Sequence, residues 1–156
     1  MLTVRLLAVG KSKGDWAGSA RAHFSKLLMR HCRFELVEIP EVKKSPDGSV
    51  ESLRRQETER VISSLRSDVV WLFDISGQRL SSEAYAALLS ETMSGGAGSL
   101  DLIIGGACGL TTNIHEKSDK VLSLSGLTLS HQVARVVVLE QLYRAFSILA
   151  GSAYHK

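Results

Sequence analysis

The residues best suited to chemistry lie in the last third of the chain. An apolar run typical of a buried strand ends in a glycine turn at residues 105–109. Glycines after a strand let a ligand approach the backbone closely, because no Cβ stands in the way. A second apolar loop, residues 124–129, alternates small and aliphatic side chains that can line a flat pocket. Because polar residues follow this loop directly, the layout indicates a cofactor site beside an acceptor site for a second, charged substrate.

These polar residues lie on the last helix and in the tail. His131 and Arg135 are four residues apart and share a helical face, as do Glu140 and Arg144. The Glu140–Arg144 pair is either an intrahelical ion pair, a bridge across a dimer interface, or a site where the arginine reaches substrate. The tail, residues 154–156, could stack on a base, handle a proton and meet a phosphate. Tails are more often frayed and inert, so both interpretations stay open.

The glycine turn is not a phosphate-binding motif, since it has neither GxGxxG nor GxxxxGK[ST] spacing. A purely structural turn is the main alternative to a ligand site. Phe73 and Asp74 favour a ligand, because they end another predicted strand, and ligands of open α/β sheets bind beyond the carboxyl ends of the strands. Three such ends rich in apolar and small residues suit an adenine ring and a thioether-like group more than phosphates.

The elements that would position these residues alternate between strands and helices. Apolar runs predict strands at residues 3–9, 34–39, 69–73, 100–104 and 121–124. Helical spacing and capping signals predict helices at residues 15–32, 49–65, 82–93 and 131–150, with Asp15 as an N-cap of the first. We therefore predict a single α/β domain over residues 1–156, with a mainly parallel sheet.

Composition and charge narrow the class of protein. The chain is 44% hydrophobic and 22% charged, which argues against disorder, and its net charge of +3 fits a polyanionic partner without requiring one. Cys32 and Cys108 lack CxxC spacing, so we expect reduced thiols, and the histidines show no spacing that predicts a metal. The charged residues within the apolar segment 133–150 favour a buried helix over a membrane span. With no signal-peptide pattern at the N-terminus, we expect a cytoplasmic protein.

These segments together resemble the RlmH (YbeA-like) family of SPOUT-class enzymes, the 23S rRNA pseudouridine N3-methyltransferases. The resemblance runs along the whole chain. It is carried by AVGK at 8–11, residues 35–40, IIGG at 103–106, GL at 109–110, LS at 124–125, LT at 127–128, HQ at 131–132, Arg135, EQLYRA at 140–145 and YH at 154–155.

The resemblance implies a deep C-terminal trefoil knot that holds S-adenosylmethionine, and a homodimer built through the last helix. It also implies a pseudouridine of 23S rRNA within the assembled ribosome as substrate. The implied cofactor residues are Phe73, Gly105, Leu124, Ser125, Gly126, Leu127, Thr128 and Leu129. On the acceptor side the implied residues are Arg144, Tyr154 and His155 as catalytic groups, with His131 and Lys156 as substrate contacts.

Within this resemblance, we expect Arg144 or Lys156 to stabilise the developing imide anion, with His155 as the base. Ser130 stands where the family pattern has proline, a departure expected to loosen the loop before the last helix. Two other functions are also consistent with the sequence. One is a ribosome-binding assembly protein of the same fold without transfer activity, and the other is a flavodoxin-like domain that binds a phosphorylated ligand.

Overall fold

Five parallel strands organise the chain, and a computed structural model describes all of its residues, Met1–Lys156. The strands are β1 (Thr3–Val9), β2 (Arg33–Ile39), β3 (Val69–Arg79), β4 (Ser99–Ile104) and β5 (Lys120–Ser123). Their order across the sheet is β2-β1-β4-β3-β5, and every pairing is parallel. The predicted α/β class with a mainly parallel sheet is confirmed.

Helices cover both faces of this sheet. They are α1 (Asp15–Leu28), α2 (Val50–Ser64), α3 (Ser82–Ser94), α4 (Asn113–Glu116) and α5 (His131–Leu149), followed by a 3₁₀ turn at Ala153–His155. One apolar core joins the sheet to α1, α3 and α5, and includes Leu28, Leu89 and Leu142. A smaller core on the opposite face joins it to α2 and α4 through Val61 and Ile114. Both faces of the central strands are therefore buried, as their continuous apolar sequences require.

The β3 strand differs from the prediction because it continues past Phe73 to Arg79. Its pairing with β5 shifts register, so that Phe73 and Gln78 both lie opposite Leu122. Residues 74–77 bulge between these two pairings. A Cβ on Gly77 would lie only 2.5 Å from the carbonyl carbon of Leu122, which is closer than packed atoms tolerate. Glycine at this position lets β3 and β5 pass each other closely, while the trefoil knot itself stays a prediction.

Two local predictions were wrong for identifiable reasons. The N-cap of α1 is Gly14, with φ of 85°, and Asp15 is the first helical residue. An acidic residue is favourable anywhere in the first turn, so its presence does not fix the cap position. Helix α4 was not predicted, because its four residues are too few to show a periodic apolar pattern. None of the helices combines the length and apolar character that crossing a bilayer would require.

Candidate active site

A cleft of about 570 Å³ lies at the carboxyl ends of β4 and β5, next to Phe73 in the middle of β3. This volume is typical of small-molecule sites, and most are lined by apolar side chains with a few polar groups. The cleft is lined by Leu72, Phe73, Asp74, Ile75, Ile104, Gly105, Gly106, Ala107, Gly109, Leu110, Ile114, His115, Ser123, Leu124, Ser125, Leu127, Thr128, Leu129, Ser130, His131 and Ala134. The lining contains no lysine or arginine, so the cleft is poorly suited to a phosphorylated ligand.

The glycine turn forms one wall of the cleft and is closely packed against neighbouring side chains. A Cβ on Gly105 would lie 3.1 Å from the Leu110 side chain, and one on Gly106 would lie 3.1 Å from Val9. Helix α2 holds the turn from behind. Arg54 donates to the Leu110 carbonyl at 2.9 Å. The turn is thus packed from both sides and presents its backbone to the cleft.

The loop at residues 124–129 forms the opposite wall. Ser123 donates its hydroxyl to the Ser125 carbonyl, and the Leu127 amide donates to the Ser125 hydroxyl, each at 2.9 Å. Leu127 stays 76% exposed, so this wall is not covered by the chain itself. Gly126 lies outside the lining, where a Cβ would lie 3.0 Å from the Arg79 guanidinium. Of the residues implied as cofactor ligands, Gly126 alone does not line the cleft.

The start of α5 closes the cleft and is held firmly. Ser130 is the N-cap, and its hydroxyl accepts from the Val133 amide at 3.3 Å. The serine side chain thus satisfies a helix-end donor that proline could not. The expected loosening relative to proline stays a prediction. Arg135 donates to the carbonyls of Val9 and Gly10 at 2.6 and 2.9 Å, which fixes α5 against the end of β1.

His131 is the first residue of α5 and lines the cleft. Burial lowers the pKa of its imidazole, and the cations of Arg135 and Lys13 lower it further. The side chain is therefore neutral at physiological pH and can donate or accept a hydrogen bond without adding charge. A neutral contact of this kind can orient a ligand in a mostly apolar cleft.

Two polar residues, Asp74 and His115, lie 3.9 Å apart at the rim of the cleft. Asp74 was identified from the sequence as a residue at a strand end that favours a ligand, but it was given no role of its own. His115 was missed because it lies on α4, which the periodicity did not reveal.

A second group of polar residues, the tail cluster, lies at the far end of α5 and consists of Glu83, Glu140, Arg144, Tyr154 and His155. Glu140 Oε1 accepts from Arg144 Nε at 3.0 Å, from Arg144 Nη2 at 2.5 Å and from the Tyr154 hydroxyl at 3.2 Å. The Glu140–Arg144 pair is thus intrahelical. With Gln141 Nε2 donating to Glu140 Oε2 at 2.6 Å, the Glu140 carboxylate accepts from four donor atoms. This arrangement leaves Glu140 unsuited to act as a base.

The tail is ordered by contacts with two helices. The Arg144 guanidinium carbon lies 4.8 Å from the centroid of the Tyr154 ring, a cation–π contact. Arg144 Nη1 lies 3.5 Å from His155 Nδ1, and His155 Nε2 lies 2.8 Å from Glu83 Oε1 on α3. Lys156 is exposed beyond this cluster. The structure therefore brings together Arg144, Tyr154 and His155, as expected, and adds Glu83, which was missed.

Two pKa shifts describe the chemistry of the tail cluster. The hydrogen bond from Arg144 to Glu140 raises the pKa of the Arg144 guanidinium, which is therefore a permanent cation. Partial burial, followed by the nearby Glu140 charge, raises the pKa of the Tyr154 phenol, which stays protonated as a donor. The cluster thus offers a fixed cation and a neutral hydroxyl, which suit a substrate that develops negative charge.

The cleft and the tail cluster are separated along α5. His131 and Arg144 are thirteen residues apart, which at 1.5 Å per residue corresponds to about 20 Å along the helix axis. Contacts with Glu140 and Tyr154 hold the Arg144 side chain within the tail cluster. One chain therefore does not bring its own implied cofactor residues and catalytic residues into contact.

Comparison with known proteins finds relatives along the whole chain. A family model described as "Predicted SPOUT methyltransferase" matches residues 2–155. A curated relative from Bifidobacterium adolescentis, named "Ribosomal RNA large subunit methyltransferase H", is 39% identical over 160 residues, which cover 99% of this chain and 100% of the relative. A relative of the same name from Pediococcus pentosaceus is 32% identical, with the same coverage of both chains.

Solved structures show the same fold at lower identity. A probable methylase family protein from Haemophilus influenzae aligns with 98% of this chain and 70% of its own, with a TM-score of 0.55 and 16% identity. A probable methyltransferase from Bordetella pertussis aligns with 92% of this chain and 95% of its own, with a TM-score of 0.56 and 16% identity. At these identities the two structures support the fold alone.

Proposed function

The chain belongs to the SPOUT methyltransferase family, and from this premise we propose that it methylates N3 of a pseudouridine in 23S rRNA, using S-adenosylmethionine. The observation that carries the proposal is the full-length similarity to two curated proteins named ribosomal RNA large subunit methyltransferase H. The site of action is the assembled ribosome in the cytoplasm, because so small a chain offers little surface with which to select one nucleotide of bare RNA.

The cleft fits the proposed cofactor in size and in chemistry. Apolar walls at Phe73, Leu124 and Leu129 suit an adenine ring and a thioether, and the glycine turn allows close approach of polar ligand groups to the backbone. Asp74 is the carboxylate at the rim and can attract the positive charge of a sulfonium or an amino group. When bound, S-adenosylmethionine would supply a methyl group already activated by the positive sulfur.

The residues of the chain would then position the acceptor nucleotide and remove its N3 proton. An imide N3 must lose its proton before or during transfer, so the site needs a proton acceptor and a cation beside the developing anion. His155 and Arg144 can supply these two functions, and their nitrogens already face each other in the tail cluster. Tyr154 can stack on the nucleobase of the substrate. Lys156 can contact the surrounding RNA, and His131 can contact the end of the site nearest the cofactor.

A homodimer would unite the two half-sites. The cleft and the tail cluster lie about 20 Å apart along one α5, so a partner must supply the missing half. Apolar side chains are exposed at both ends of this helix, with Ile75 at 59% and Leu127 at 76% near the cleft and Leu149 at 41% near the tail. A twofold pairing through α5 would cover these residues and bring the tail of one protomer to the cleft of the other.

The activity is tested with purified protein, labelled S-adenosylmethionine and ribosomes from a strain that lacks this gene. We expect label on one pseudouridine of 23S rRNA, located by nuclease digestion and mass spectrometry. A known rRNA methyltransferase on the same ribosomes serves as the positive control. No label with an active control would favour a ribosome-binding protein without transfer activity.

The shared site is tested by mixing two inactive variants. Gly105→Val fills the cleft wall and Arg144→Ala removes the cation, and the two changes are far apart in sequence and space. If the sites are composite, random exchange of protomers places one intact site in each mixed dimer and restores about a quarter of all sites. If each protomer works alone, the mixture stays inactive.

A further inference from the structure

A carboxylate outside the cleft contacts the histidine proposed as the base. Glu83 lies in the first turn of α3, which Ser81 caps through a hydrogen bond from the Ala84 amide at 3.1 Å. From this fixed position Glu83 Oε1 lies 2.8 Å from His155 Nε2. The two residues are far apart in sequence, so this contact docks the tail onto α3.

The contact selects one tautomer of the imidazole. An ionised carboxylate only accepts hydrogen bonds, so Nε2 must carry the hydrogen. The hydrogen bond from His155 lowers the pKa of Glu83, which keeps the carboxylate ionised. His155 Nδ1 therefore carries the lone pair, which accepts a long hydrogen bond from Arg144 Nη1 at 3.5 Å.

We infer that Glu83 is a positioning residue for methyl transfer, holding His155 so that Nδ1 accepts the proton from the substrate imide beside the Arg144 guanidinium. This inference rests on the proposed function, because the substrate and the base role come from it. A third group that orients a base in this way recurs in enzymes with nucleophile–base pairs. Glu83 adds a residue on a different helix to a site otherwise built from α5 and the tail.

The N3–H bond of the pseudouridine breaks and its proton moves to Nδ1, giving an imidazolium that Glu83 stabilises. The N3 electron pair forms the new bond to the methyl carbon as the sulfur–methyl bond breaks, and neutral S-adenosylhomocysteine leaves. The charged groups around the imidazole are Glu83 on α3, Arg144 and Glu140 on α5, and Lys156 in the tail.

Three variants separate the orientation of His155, the charge of Glu83 and any effect of an unrelated substitution on α3. Glu83→Gln retains an oxygen that can accept from Nε2 but lacks the charge, and Glu83→Ala removes both. Glu91→Ala, an exposed residue of the same helix, is the matched control. Cofactor affinity should be unchanged in all three, because Glu83 and Glu91 are absent from the cleft lining.

Two measurements test the inference. Long-range ¹H–¹⁵N spectra should show Nε2 protonated in the wild type and in Glu83→Gln, and a mixture of tautomers in Glu83→Ala. In ribosome methylation, kcat should fall at least about tenfold in Glu83→Ala. In Glu83→Gln, which keeps an acceptor for Nε2 but lacks the charge, kcat should lie between the values for the wild type and Glu83→Ala.

The outcomes separate the two proposals. A wild type that transfers no methyl overturns the proposed function, while the spectra still report whether Glu83 sets the tautomer. An active wild type with the same tautomer and the same kcat in all variants overturns the role of Glu83. A fall in kcat in Glu83→Ala without a change of tautomer would reduce Glu83 to a structural anchor and also overturn it.

Discussion

The cleft and the tail cluster lie at opposite ends of α5 and rely on different parts of the chain. The cleft is made largely of glycines, apolar side chains and backbone at the ends of parallel strands. The tail cluster is made of charged and aromatic side chains held by hydrogen bonds to one another. Shape therefore dominates at the cleft, and charge dominates at the tail.

This difference determines how each region should fail. A steric change in the cleft meets packed side chains, such as Leu110 beside Gly105 and Val9 beside Gly106, and should lower both stability and cofactor affinity. A change in the tail cluster leaves the core intact and should affect the transfer step alone. Variants in each region test this separation.

Gly77→Ala should cause the largest loss. Its Cβ would lie 2.5 Å from the Leu122 carbonyl carbon, so β3 and β5 would have to move apart beside Phe73. We expect destabilisation of about 3 kcal/mol or more in urea unfolding, with loss of S-adenosylmethionine binding by calorimetry. Gly18→Ala is the matched control, since nothing lies within 4 Å of its Cβ position on α1. A Gly77→Ala protein with wild-type stability would show that the two strands are not locked together.

Arg144→Ala should mainly affect the transfer step. Removal of one electrostatic contact to a developing anion typically lowers kcat about 100-fold or more, and cofactor affinity should not change. Arg144→Lys keeps the charge but cannot donate to Glu140 through Nε and Nη2 together, so it should restore only part of the rate. Arg30→Ala, an exposed arginine, serves as control. Loss of cofactor binding in Arg144→Ala would contradict the separation of the two regions.

The same difference explains which residues of the two regions could be predicted from the sequence. Strand ends and the glycine turn follow from short-range patterns, so most cleft residues, such as Gly105 and Leu124, were accessible to prediction. The contact between Glu83 and His155 joins residues far apart in sequence, and no local pattern reports it. The extension of β3 was likewise hidden, because Gly77 is required by a backbone that approaches from another strand.

Glu57→Gln tests the support behind the glycine turn. Glu57 is buried on α2, accepts from the Val42 amide at 3.0 Å, and lies next to Gly106. Burial raises the pKa of this carboxyl, and the negative charge of Glu41 raises it further. A raised folded-state pKa favours folding below the unfolded-state pKa, and this contribution is lost as the pH rises through the folded-state pKa.

The glutamine variant carries no such charge and can still accept from Val42. Relative to the wild type, its free energy of unfolding should therefore improve as the pH rises from 4 to 7. Urea unfolding at both pH values measures this, with the exposed Glu59→Gln as control. A difference that does not vary with pH would mean that the Glu57 carboxylate is well solvated.

The smallest effect is expected at Ser130, where the cleft meets α5. Ser130→Ala removes the hydroxyl that accepts from Val133 and should cost about 1 kcal/mol. Ser130→Pro also removes it, but the φ of −60° at this position suits proline, and a restricted unfolded chain returns about 0.4–1 kcal/mol. The proline variant should therefore lie above the alanine variant in urea unfolding and close to the wild type. If proline instead proves the less stable of the two, strain imposed on Leu129 outweighs the entropic gain, and serine is required here for more than its cap.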